Sequence, residues 1–525
     1  MSRLRTWLVS AMLARMKVPR DVQRFAFRRY PERLALSYGG KSFKFSELER
    51  KVHGLVGAWR LHGIRKGSRV LSLLRDEATQ VVVWLAANEA GVWLTQTRPD
   101  IGENFLNKVL EVLHPKLIIG DSAEPRAAAW ASEVWDVPVW WSGTELDERI
   151  NRAEPIQAPE PLSPSDVMGL GFTSGTTGEP KPILARQGKV VLGMRMVVAN
   201  VGVAKPGEHP DVFVLGIPLI GAGSGAVLPT LMAGSHLVLP QSYDAETIAE
   251  QIDAWGGTRT FVTPSMLADL LDLPEHSYRL NTLQSLIYGT ETTPATRVRE
   301  ALRRFGPILQ QGYGSAEVYP PVTMLRPKDH VVRGKPAPDE VLSSVGRVVR
   351  GVQVRILDPE GRELPVGEVG RVDVKSPTVF DGYYGQPERT AEVLRDGWLL
   401  VGDMGRFLPG GQLVVMGRES DTVRVNGRTI FPREVEEVAH RHPQVKEAVF
   451  VQVADKAVLA VSRRRLFAKC DPVEFERDLA VFLERNLPPA LKPVRVRWFE
   501  ELPRSVLTKV LRREVRERLL QEEVL

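Results

Sequence analysis

Short apolar runs alternate with amphipathic stretches through the first two thirds of the chain. Residues 70–74 have the composition of a buried strand, and the alanine-rich stretch 78–91 that follows has helical spacing. Further strands are predicted over residues 116–120, 213–217 and 283–288. Because strands that alternate with helices form parallel, doubly wound sheets, the pattern predicts an α/β fold for this part of the chain.

An early helix carries its own start and stop signals. Residues 43–45 end a predicted strand, and Ser46 with Glu49 forms a predicted capping box in which Ser46 is the N-cap. Helical periodicity then runs over residues 48–62 and stops before Gly63, a common residue after a helix.

The last quarter of the chain has a different order of elements. Gly410 and Gly411 form a predicted hairpin turn. After it we predict a helix that begins at Pro432, strands over residues 448–453, 458–462 and 494–499, and helices over residues 473–487 and 510–521. A chain of 525 residues is too long for one hydrophobic core, so we expect a second, smaller α+β domain here.

Charge and cysteine content narrow the class of protein. Lysine and arginine total 70 against 64 acidic residues, a net charge of +6, and the charges are scattered along the chain. That balance suits anionic small molecules and does not indicate a nucleic-acid partner, which would need a basic face with a recognition motif. The single cysteine, Cys470, excludes a disulfide framework and favours a reducing, cytoplasmic setting. No apolar run reaches the length needed to span a bilayer.

Residues 1–17 have apolar positions at helical spacing, with Arg3, Arg5, Arg15 and Lys17 among them. Two interpretations stay open: a helix packed on its own domain, or a basic amphipathic helix that contacts an anionic membrane surface. A signal peptide is not expected, because Arg15 and Lys17 interrupt the apolar stretch.

The segment from Thr173 to Lys181 reads Thr-Ser-Gly-Thr-Thr-Gly-Glu-Pro-Lys and directly follows a predicted strand. Backbone amides of a glycine-rich turn form an anion-binding nest, and hydroxyls and an ammonium add donors, so the expected ligand is a polyphosphate. The segment is not a Walker A loop, because Gly178 is followed by Glu179 and Pro180 rather than by Lys-Ser or Lys-Thr. From composition alone, a Ser/Thr/Gly-rich surface loop is the alternative.

This segment resembles the phosphate-binding loop of the adenylate-forming superfamily, which includes the acyl-CoA synthetases. Further stretches resemble that family's motifs in its order and at its approximate spacing: Gln311 to Glu317, Gly397 to Asp403, Gly417 to Asp421 with Gly427, Pro432 and Glu434, and Pro503 to Lys509. The resemblance covers nearly the whole chain.

The resemblance implies a large N-terminal domain of packed doubly wound sheets with a β-subdomain, over residues 1–419. It also implies a small mobile C-terminal lid domain over residues 420–525, with a hinge near Ser420. Such an enzyme activates a carboxylic acid with ATP and Mg²⁺ to an acyl-adenylate. The small domain then rotates, and the thiol of coenzyme A, or of a carrier-protein phosphopantetheine, attacks the acyl carbon.

The resemblance implies a role for each residue of the motifs. Lys509 stabilises charge on the α-phosphate and carboxylate oxygens and Glu317 holds Mg²⁺; with Thr176 they are the expected catalytic residues. The expected phosphate ligands are Thr173, Ser174, Gly175, Thr176, Thr177, Gly178 and Lys181. The expected adenine site comprises Thr290, Glu291, Thr292, Gln311, Gly312, Gly314 and Tyr313, whose ring stacks on the base. Asp403 accepts hydrogen bonds from the ribose, Arg418 adds a ribose or phosphate contact, and Gly427 leaves space for pantetheine.

The chain departs from the family pattern at several positions. Residues other than the usual ones stand at Pro182, Gln187, Gly221, Ala316 and Thr508. Four of these departures favour, as one alternative, a non-catalytic relative that binds nucleotide or partners: Pro182, Gly221, Ala316 and Thr508. Five functional residues are nevertheless retained together, which favours an enzyme: Lys181, Glu317, Asp403, Arg418 and Lys509.

The acid and the acceptor thiol are predicted from two of the departures. Ile220 and Gly221 stand where many acyl-CoA synthetases carry an aromatic-His pair, and small residues follow to Gly225. We interpret this stretch as an open apolar tunnel for a medium- or long-chain fatty acid; close helix–sheet packing is the alternative. No acidic residue lies beside Gly221, which disfavours an amino acid, because a buried ammonium needs a counter-charge. Alanine at position 316 resembles the motif of fatty acyl-AMP ligases, relatives that deliver the acyl group to a carrier protein. An acyl-carrier protein is therefore the alternative to coenzyme A.

Overall fold

The computed structural model describes residues 15–158, 160–174, 180–202, 210–505 and 509–524. Within these residues four parallel strands form an N-terminal sheet, in the spatial order Trp93–Thr97, Arg69–Leu73, Leu117–Asp121, Val139–Ser142. The helices of this part of the chain are Pro19–Arg29, Phe45–Leu61, Glu77–Ala90, Glu103–Leu113, Arg126–Trp135 and Glu145–Arg152.

A larger, central sheet follows. Counted over the described ranges it has nine strands, in the order Arg347–Val348, Val318–Leu325, Leu309–Ser315, Ser285–Gly289, Arg259–Val262, Val212–Gly216, His236–Leu239, Leu34–Tyr38, Lys41–Lys44. The six strands from Leu309–Ser315 to Leu34–Tyr38 run parallel, and the remaining strands at the two edges are antiparallel. The helices of this part are Gln187–Asn200, Val227–Met232, Ala245–Trp255, Pro264–Asp272, Ala295–Phe305 and Asp339–Leu342.

One hydrophobic core joins the two sheets. Trp59 and Leu85, on helices between them, are fully buried in the same cluster as Val70 of the N-terminal sheet and Leu36 and Leu237 of the central sheet. Burial of apolar side chains is the dominant favourable term in folding, and here it holds the two sheets together through shared helices. The predicted α/β class and the packed doubly wound sheets are confirmed.

A β-subdomain packs beside the central sheet. Its sheet is built from strands Gln353–Leu357, Gly370–Lys375, Trp398–Phe407, Leu394–Arg395 and Leu413–Arg418, and helix Pro387–Val393 lies next to it. The hairpin of Val167–Ser174 with Pro180–Arg186 carries the predicted phosphate-binding segment. Ile183 of this hairpin is buried in one cluster with Val372 and Val415 of the subdomain, which fixes the hairpin against it.

The C-terminal part folds around a core of its own. Its strands are Val423–Val425, Arg428–Ile430, Val445–Val453, Lys456–Arg463 and Arg495–Trp498, and its helices are Pro432–Ala439, Pro472–Asn486 and Arg512–Val524. Phe450, Leu459 and Phe475 are buried together in this core. Ser420 lies just before it, in the 3₁₀ turn Glu419–Asp421, and the domain boundary and hinge there stay predictions.

One helix start predicted from the sequence is wrong. The helix begins at Phe45, its N-cap is Lys44 rather than Ser46, and the Lys44 amide donates to the Glu47 carboxylate over 2.8 Å. Phe45 is fully buried, so the chain turns into the helix where that side chain enters the core.

The predicted N-terminal helix lies outside the described residues except for residues 15–17. Among the residues that the structure describes, no helix has both the length and the apolar character required to cross a membrane.

Candidate active site

Two neighbouring strands of the central sheet end at the predicted adenine site. Ser285–Gly289 and Leu309–Ser315 run parallel, with Gly289 opposite Gly312. A Cβ atom at Gly289 would come 3.1 Å from the Gly312 carbonyl oxygen, so glycine permits this close approach. Thr290 follows with φ 76°, a left-handed conformation that turns the chain sharply at the strand end.

Several buried polar atoms at this edge have no partner within the described residues. They are Thr290 Oγ1, Gln311 Oε1 and Ser315 Oγ. Because buried polar groups are nearly always hydrogen-bonded, these atoms are suited to a ligand that has donors and acceptors along its edge, as a purine base has.

The Tyr313 side chain is hydrogen-bonded to the β-subdomain. Its hydroxyl donates to Asp403 Oδ2 over 2.5 Å, and Asp403 lies opposite Arg418 in the adjoining hairpin, with Arg418 Nε 3.9 Å from Oδ1. Burial raises the pKa of Asp403, and the Tyr313 hydrogen bond and the charges of Arg418 and Lys509 oppose that rise. Burial beside the Asp403 carboxylate raises the pKa of Tyr313 well above its usual value. The Tyr313 ring, the Asp403 carboxylate and the Arg418 guanidinium therefore lie close together.

Tyr383 connects Glu317 to the hairpin that carries the predicted phosphate-binding segment. The Tyr383 hydroxyl donates to Glu317 Oε1 over 3.0 Å, and Lys181 Nζ lies 5.4 Å from the centre of the Tyr383 ring. Ile183 of the hairpin forms a β-bridge with Tyr383. No motif or periodicity marks Tyr383 in the sequence, and its role follows only from this packing.

The hairpin holds the two ends of the predicted phosphate-binding segment in register. Thr173 lies opposite Lys181, and Ser174 lies opposite Pro180. The predicted ligands Gly175, Thr176, Thr177 and Gly178 lie outside the described residues.

Lys509 reaches this site from the small domain. Its carbonyl accepts the Ser505 amide over 2.8 Å, and the amide of the next residue, Val510, donates to Glu291 Oε1 over 2.9 Å. Burial raises the pKa of Glu291, and the charge of Lys509 opposes the rise both there and at Asp403. The Lys509 ammonium therefore acts electrostatically on Glu291 and Asp403 of the large domain, and its catalytic role stays a prediction.

A family model that matches the sequence shows the family of this chain. The model described as AMP-binding enzyme matches residues 22–384, more than half of the chain. The chain belongs to the AMP-binding enzyme family. The resemblance to the adenylate-forming superfamily is thereby confirmed, and its acyl-CoA synthetase type is confirmed by relatives of this AMP-binding enzyme.

Three relatives illustrate the range of this ligase type. The medium/long-chain-fatty-acid–CoA ligase FadD8 of Mycobacterium tuberculosis is 32% identical over 375 residues, which are 70% of this chain and 63% of that protein. The feruloyl-CoA synthase of an Amycolatopsis species is 30% identical over 94% of this chain and 97% of its own length. The fatty acid–[acyl-carrier-protein] ligase ScoC of Streptomyces coeruleorubidus is 27% identical over 91% of this chain and 92% of its own length.

The fold also matches a solved structure of a ligase. The crystal structure of the anthranilate CoA ligase AuaEII in complex with anthranoyl-AMP superposes with a TM-score of 0.87 at 20% identity, covering 96% of this chain and 98% of that one. This likeness confirms the adenylate-forming fold.

One residue of the predicted binding site of this AMP-binding enzyme lies in a turn of the small domain. Gly427, with φ 77°, occupies the turn of the small-domain hairpin Val423–Val425 with Arg428–Ile430. Its neighbour Asn426 donates to the Lys492 carbonyl over 2.9 Å, also within the small domain. The role of Gly427 beside pantetheine stays a prediction.

Glu317 is the expected protein ligand of Mg²⁺. Across the described ranges, no group of three or more His, Cys, Asp or Glu side chains could hold a metal ion. The single carboxylate of Glu317 fits Mg²⁺ in combination with nucleotide phosphate oxygens, the way in which this ion is usually held.

The chain just before the predicted acid-binding stretch is hydrogen-bonded to a carboxylate, Glu77, that was not predicted from the sequence. Glu77 Oε1 accepts the Leu219 amide over 3.0 Å, and the Tyr243 hydroxyl donates to its other carboxylate oxygen. Glu77, Tyr243 and Ile220 line a cavity of about 220 Å³. Burial raises the pKa of Glu77 to about 7. Its position in the first turn of a helix, where acids are common, conceals this role in the sequence.

Proposed function

We propose that this enzyme activates a carboxylic acid with ATP and transfers the acyl group to coenzyme A. The proposal is carried by the convergence of Tyr313, Asp403 and Glu291 of the large domain with Lys509 of the small domain. Relatives named as acid–CoA ligases support the same class of reaction.

The proposed reaction has two steps. A carboxylate oxygen of the acid attacks the α-phosphorus of ATP, the bond from that phosphorus to the bridging oxygen breaks, and pyrophosphate leaves with the electron pair. The thiol sulfur of coenzyme A then attacks the acyl carbon, the bond to the AMP oxygen breaks, and AMP leaves while the thiol proton passes to solvent. Neither step changes an oxidation state.

The residues act by binding and by charge. Tyr313 stacks on adenine, a type of contact worth about 1–3 kcal/mol per base in single-strand binding. Asp403 accepts hydrogen bonds from the ribose hydroxyls, and Lys181 supports the β- and γ-phosphates. Lys509 stabilises charge that develops on the α-phosphate, usually the largest kind of catalytic term. Glu317 would hold Mg²⁺, which neutralises phosphate charge when bound.

We infer that the acid is a medium- or long-chain fatty acid. The 3₁₀ turn Gly221–Ala226 presents Gly221, Ala222 and Gly225 at an accessible surface. A Cβ atom at Gly225 would have no described atom within 4 Å. Small side chains beside open space suit a long apolar chain, and the name of FadD8 supports this acid class. The name of the feruloyl-CoA synthase supports an aromatic acid instead, so both classes belong in the assay.

A carrier-protein phosphopantetheine is the second candidate acceptor. Ala316 is exposed beside Glu317 at the position where the family often has threonine. ScoC, named as a ligase for an acyl-carrier protein, supports this alternative. Free, exposed Cys470 agrees with the reducing, cytoplasmic setting that we propose for either reaction.

Pyrophosphate release from the purified protein tests the proposal. ATP would be supplied with acetate, octanoate, palmitate, benzoate, ferulate or an amino acid, each with and without coenzyme A. We expect turnover with a fatty acid that rises strongly with coenzyme A and falls about 100-fold or more in Lys509→Ala. Release that stops near one turnover and ignores coenzyme A would favour the carrier protein. Nucleotide binding without release from any acid would contradict the enzymatic function.

A further inference from the structure

The Lys509 loop of the small domain is held by a carboxylate of the large domain. Glu291 follows the strand Ser285–Gly289 closely, and its Oε1 accepts the Val510 amide over 2.9 Å. Val510 is the residue directly after Lys509, so this bond fixes the backbone that carries the lysine.

We propose that Glu291 is a positioning residue for Lys509, which fastens the Lys509 loop to the large domain during adenylation only. The inference rests on the function proposed above and deepens it. It assigns the Glu291 carboxylate to docking of the small domain rather than to adenine. Because the bond joins the two domains, it must break when the small domain rotates for thioester formation. Glu291 is therefore expected to matter for the first half-reaction alone.

Among the described residues, contacts to the large domain lie on both sides of Lys509. Arg504 and Val510 face each other in an isolated antiparallel bridge. On one side of the bridge, the Arg504 guanidinium donates to Ser265 Oγ over 2.9 Å. On the other side, next to Lys509, Glu291 supplies the attachment. Loss of Glu291 would leave the Arg504 side docked and release the side that carries the lysine.

The loop partly offsets the cost of burying the Glu291 carboxylate. Burial raises its pKa, and Glu447 acts in the same direction, whereas the Val510 amide and the charges of Lys509 and Arg504 lower it. A carboxylate that accepts an amide hydrogen forms a charge-assisted bond, which is stronger than a neutral one. The interactions that oppose the rise all come from the loop, so the hydrogen bond to Val510 and the charges of Lys509 and Arg504 make burial of the carboxylate less costly.

The chain supplies a matched control in Glu437. Its Oε1 accepts the Ala295 amide over 2.9 Å, so it is also an interdomain bond from a carboxylate to a backbone amide. In this case the carboxylate belongs to the small domain and the amide to the large domain. Glu437→Ala removes one interdomain bond of equal length without touching the Lys509 loop.

The two half-reactions, measured separately, test the inference. Single-turnover acyl-adenylate formation would be compared with thioester formation from supplied acyl-adenylate and coenzyme A. We expect Glu291→Ala to slow adenylation about 10- to 100-fold, the scale of a misplaced catalytic group. The thioester step should change less than about twofold. Glu291→Gln, which keeps an acceptor oxygen, and Glu437→Ala should each stay within about threefold. In protein that already carries Lys509→Ala, the further substitution Glu291→Ala should slow adenylation almost no further, because Glu291 acts through the lysine.

Amide hydrogen exchange provides a readout that needs no turnover. Peptides covering residues 503–511 should lose protection in Glu291→Ala and keep it in Glu437→Ala. Equal protection in the two variants, equal slowing by them, or equal loss of both half-reactions in Glu291→Ala would overturn the inference. If the wild-type protein formed no adenylate from any acid, yet Glu291→Ala exposed this segment, the docking role would stand and the proposed function would fail.

Discussion

A single contact between a hydroxyl and a carboxylate joins two parts of the site. Tyr313 belongs to the central sheet and Asp403 to the β-subdomain, and they meet over 2.5 Å. The Asp403 side chain is only 18% exposed, so neighbouring groups rather than water stabilise its charge. The Tyr313 hydroxyl is one of those groups, and the ring that carries it is the proposed adenine platform.

Removing that hydroxyl should move the pH dependence of ATP use. In Tyr313→Phe the ring stays, but Asp403 loses the hydrogen bond that lowers its pKa. The pKa of Asp403 therefore rises, and the acid limb of kcat/KM for ATP shifts to higher pH. At slightly acidic pH we expect kcat/KM to fall about tenfold, the scale of one hydrogen bond to a charged group. Tyr319→Phe, at a partly buried tyrosine packed against the core that joins the two sheets, serves as the control. An unshifted acid limb would contradict the role of the contact.

Glu77 should make stability depend on pH. Its pKa in the folded protein is about 7 against an ordinary value of 4.5. Between these values the folded protein holds a proton that the unfolded chain releases, so the stabilising contribution is complete below about pH 4.5 and is lost as pH rises through 7. At about 1.4 kcal/mol per pKa unit, at most about 3.5 kcal/mol is involved.

Glu77→Gln tests this dependence. The variant cannot titrate and keeps an acceptor for the Leu219 amide. We expect its melting temperature to gain on the wild type as the pH is raised from about 5 to about 8. Exposed Glu360 supplies the control, Glu360→Gln, which should track the wild type at each pH. A difference between Glu77→Gln and wild type that stays constant with pH would argue against a raised pKa at Glu77.

At the scale of elements, two helices of the N-terminal part begin in different ways. The helix Glu77–Ala90 has Asp76 as its N-cap, whose side chain accepts the Ala78 and Thr79 amides over 2.9 and 3.1 Å. The helix Phe45–Leu61 has Lys44 at this position, without a side-chain cap bond. The first helix therefore depends on its N-cap side chain, whereas at the second the Glu47 carboxylate accepts the Lys44 amide.

Asp76→Ala should destabilise the large domain by about 1 kcal/mol, because two amides lose their acceptor. Ser46→Ala, at the cap that the sequence wrongly predicted, should change stability by less than about 0.5 kcal/mol. Urea midpoints of the large-domain transition provide the measurement. Similar losses in both variants would mean that the cap assignment from the structure is wrong.

Element types were predicted better than element limits. The hairpin at Gly410 and Gly411 is confirmed, since Phe407 pairs with Leu413 and Gly411 has φ 79°. Such a turn needs a residue that tolerates positive φ, which is visible in the sequence. The terminal helix was predicted from residue 510 but begins at Arg512, because Val510 is engaged in the bridge with Arg504. Tertiary contacts of this kind leave no local pattern.

At the scale of the whole molecule, charged pairs dock the two domains. Cations of the small domain meet carboxylates of the large domain in the pairs Lys446–Asp269, Arg464–Asp272 and Arg465–Glu246. The Asp272 side chain is only 1% exposed, and Arg464 is its partner in an ion pair. Each pair must separate if the small domain rotates, and the observed arrangement with Lys509 at the site corresponds to the proposed adenylation state.

A proline at the predicted hinge should separate the two half-reactions. Ser420 lies in the 3₁₀ turn Glu419–Asp421, whose expected φ is close to the value that proline imposes. Ser420→Pro should therefore keep the observed arrangement and resist rotation away from it. We expect adenylation within about threefold of wild type and thioester formation slowed about tenfold or more. Ser420→Ala, which leaves the backbone free, should support both steps. Normal thioester formation in Ser420→Pro would place the hinge elsewhere.

The sequence by itself determined the α/β class, the order of the elements and, through motif resemblance, which residues to expect at the site. These are properties of short segments, in which apolar spacing and side-chain chemistry can be read directly. Only the tertiary structure decided that Tyr313 meets Asp403, 90 residues away, that Tyr383 joins Glu317 to the hairpin, and that Glu291 faces the Lys509 loop. Each of these contacts joins segments far apart in the chain, and their distances depend on how the sheets and domains pack.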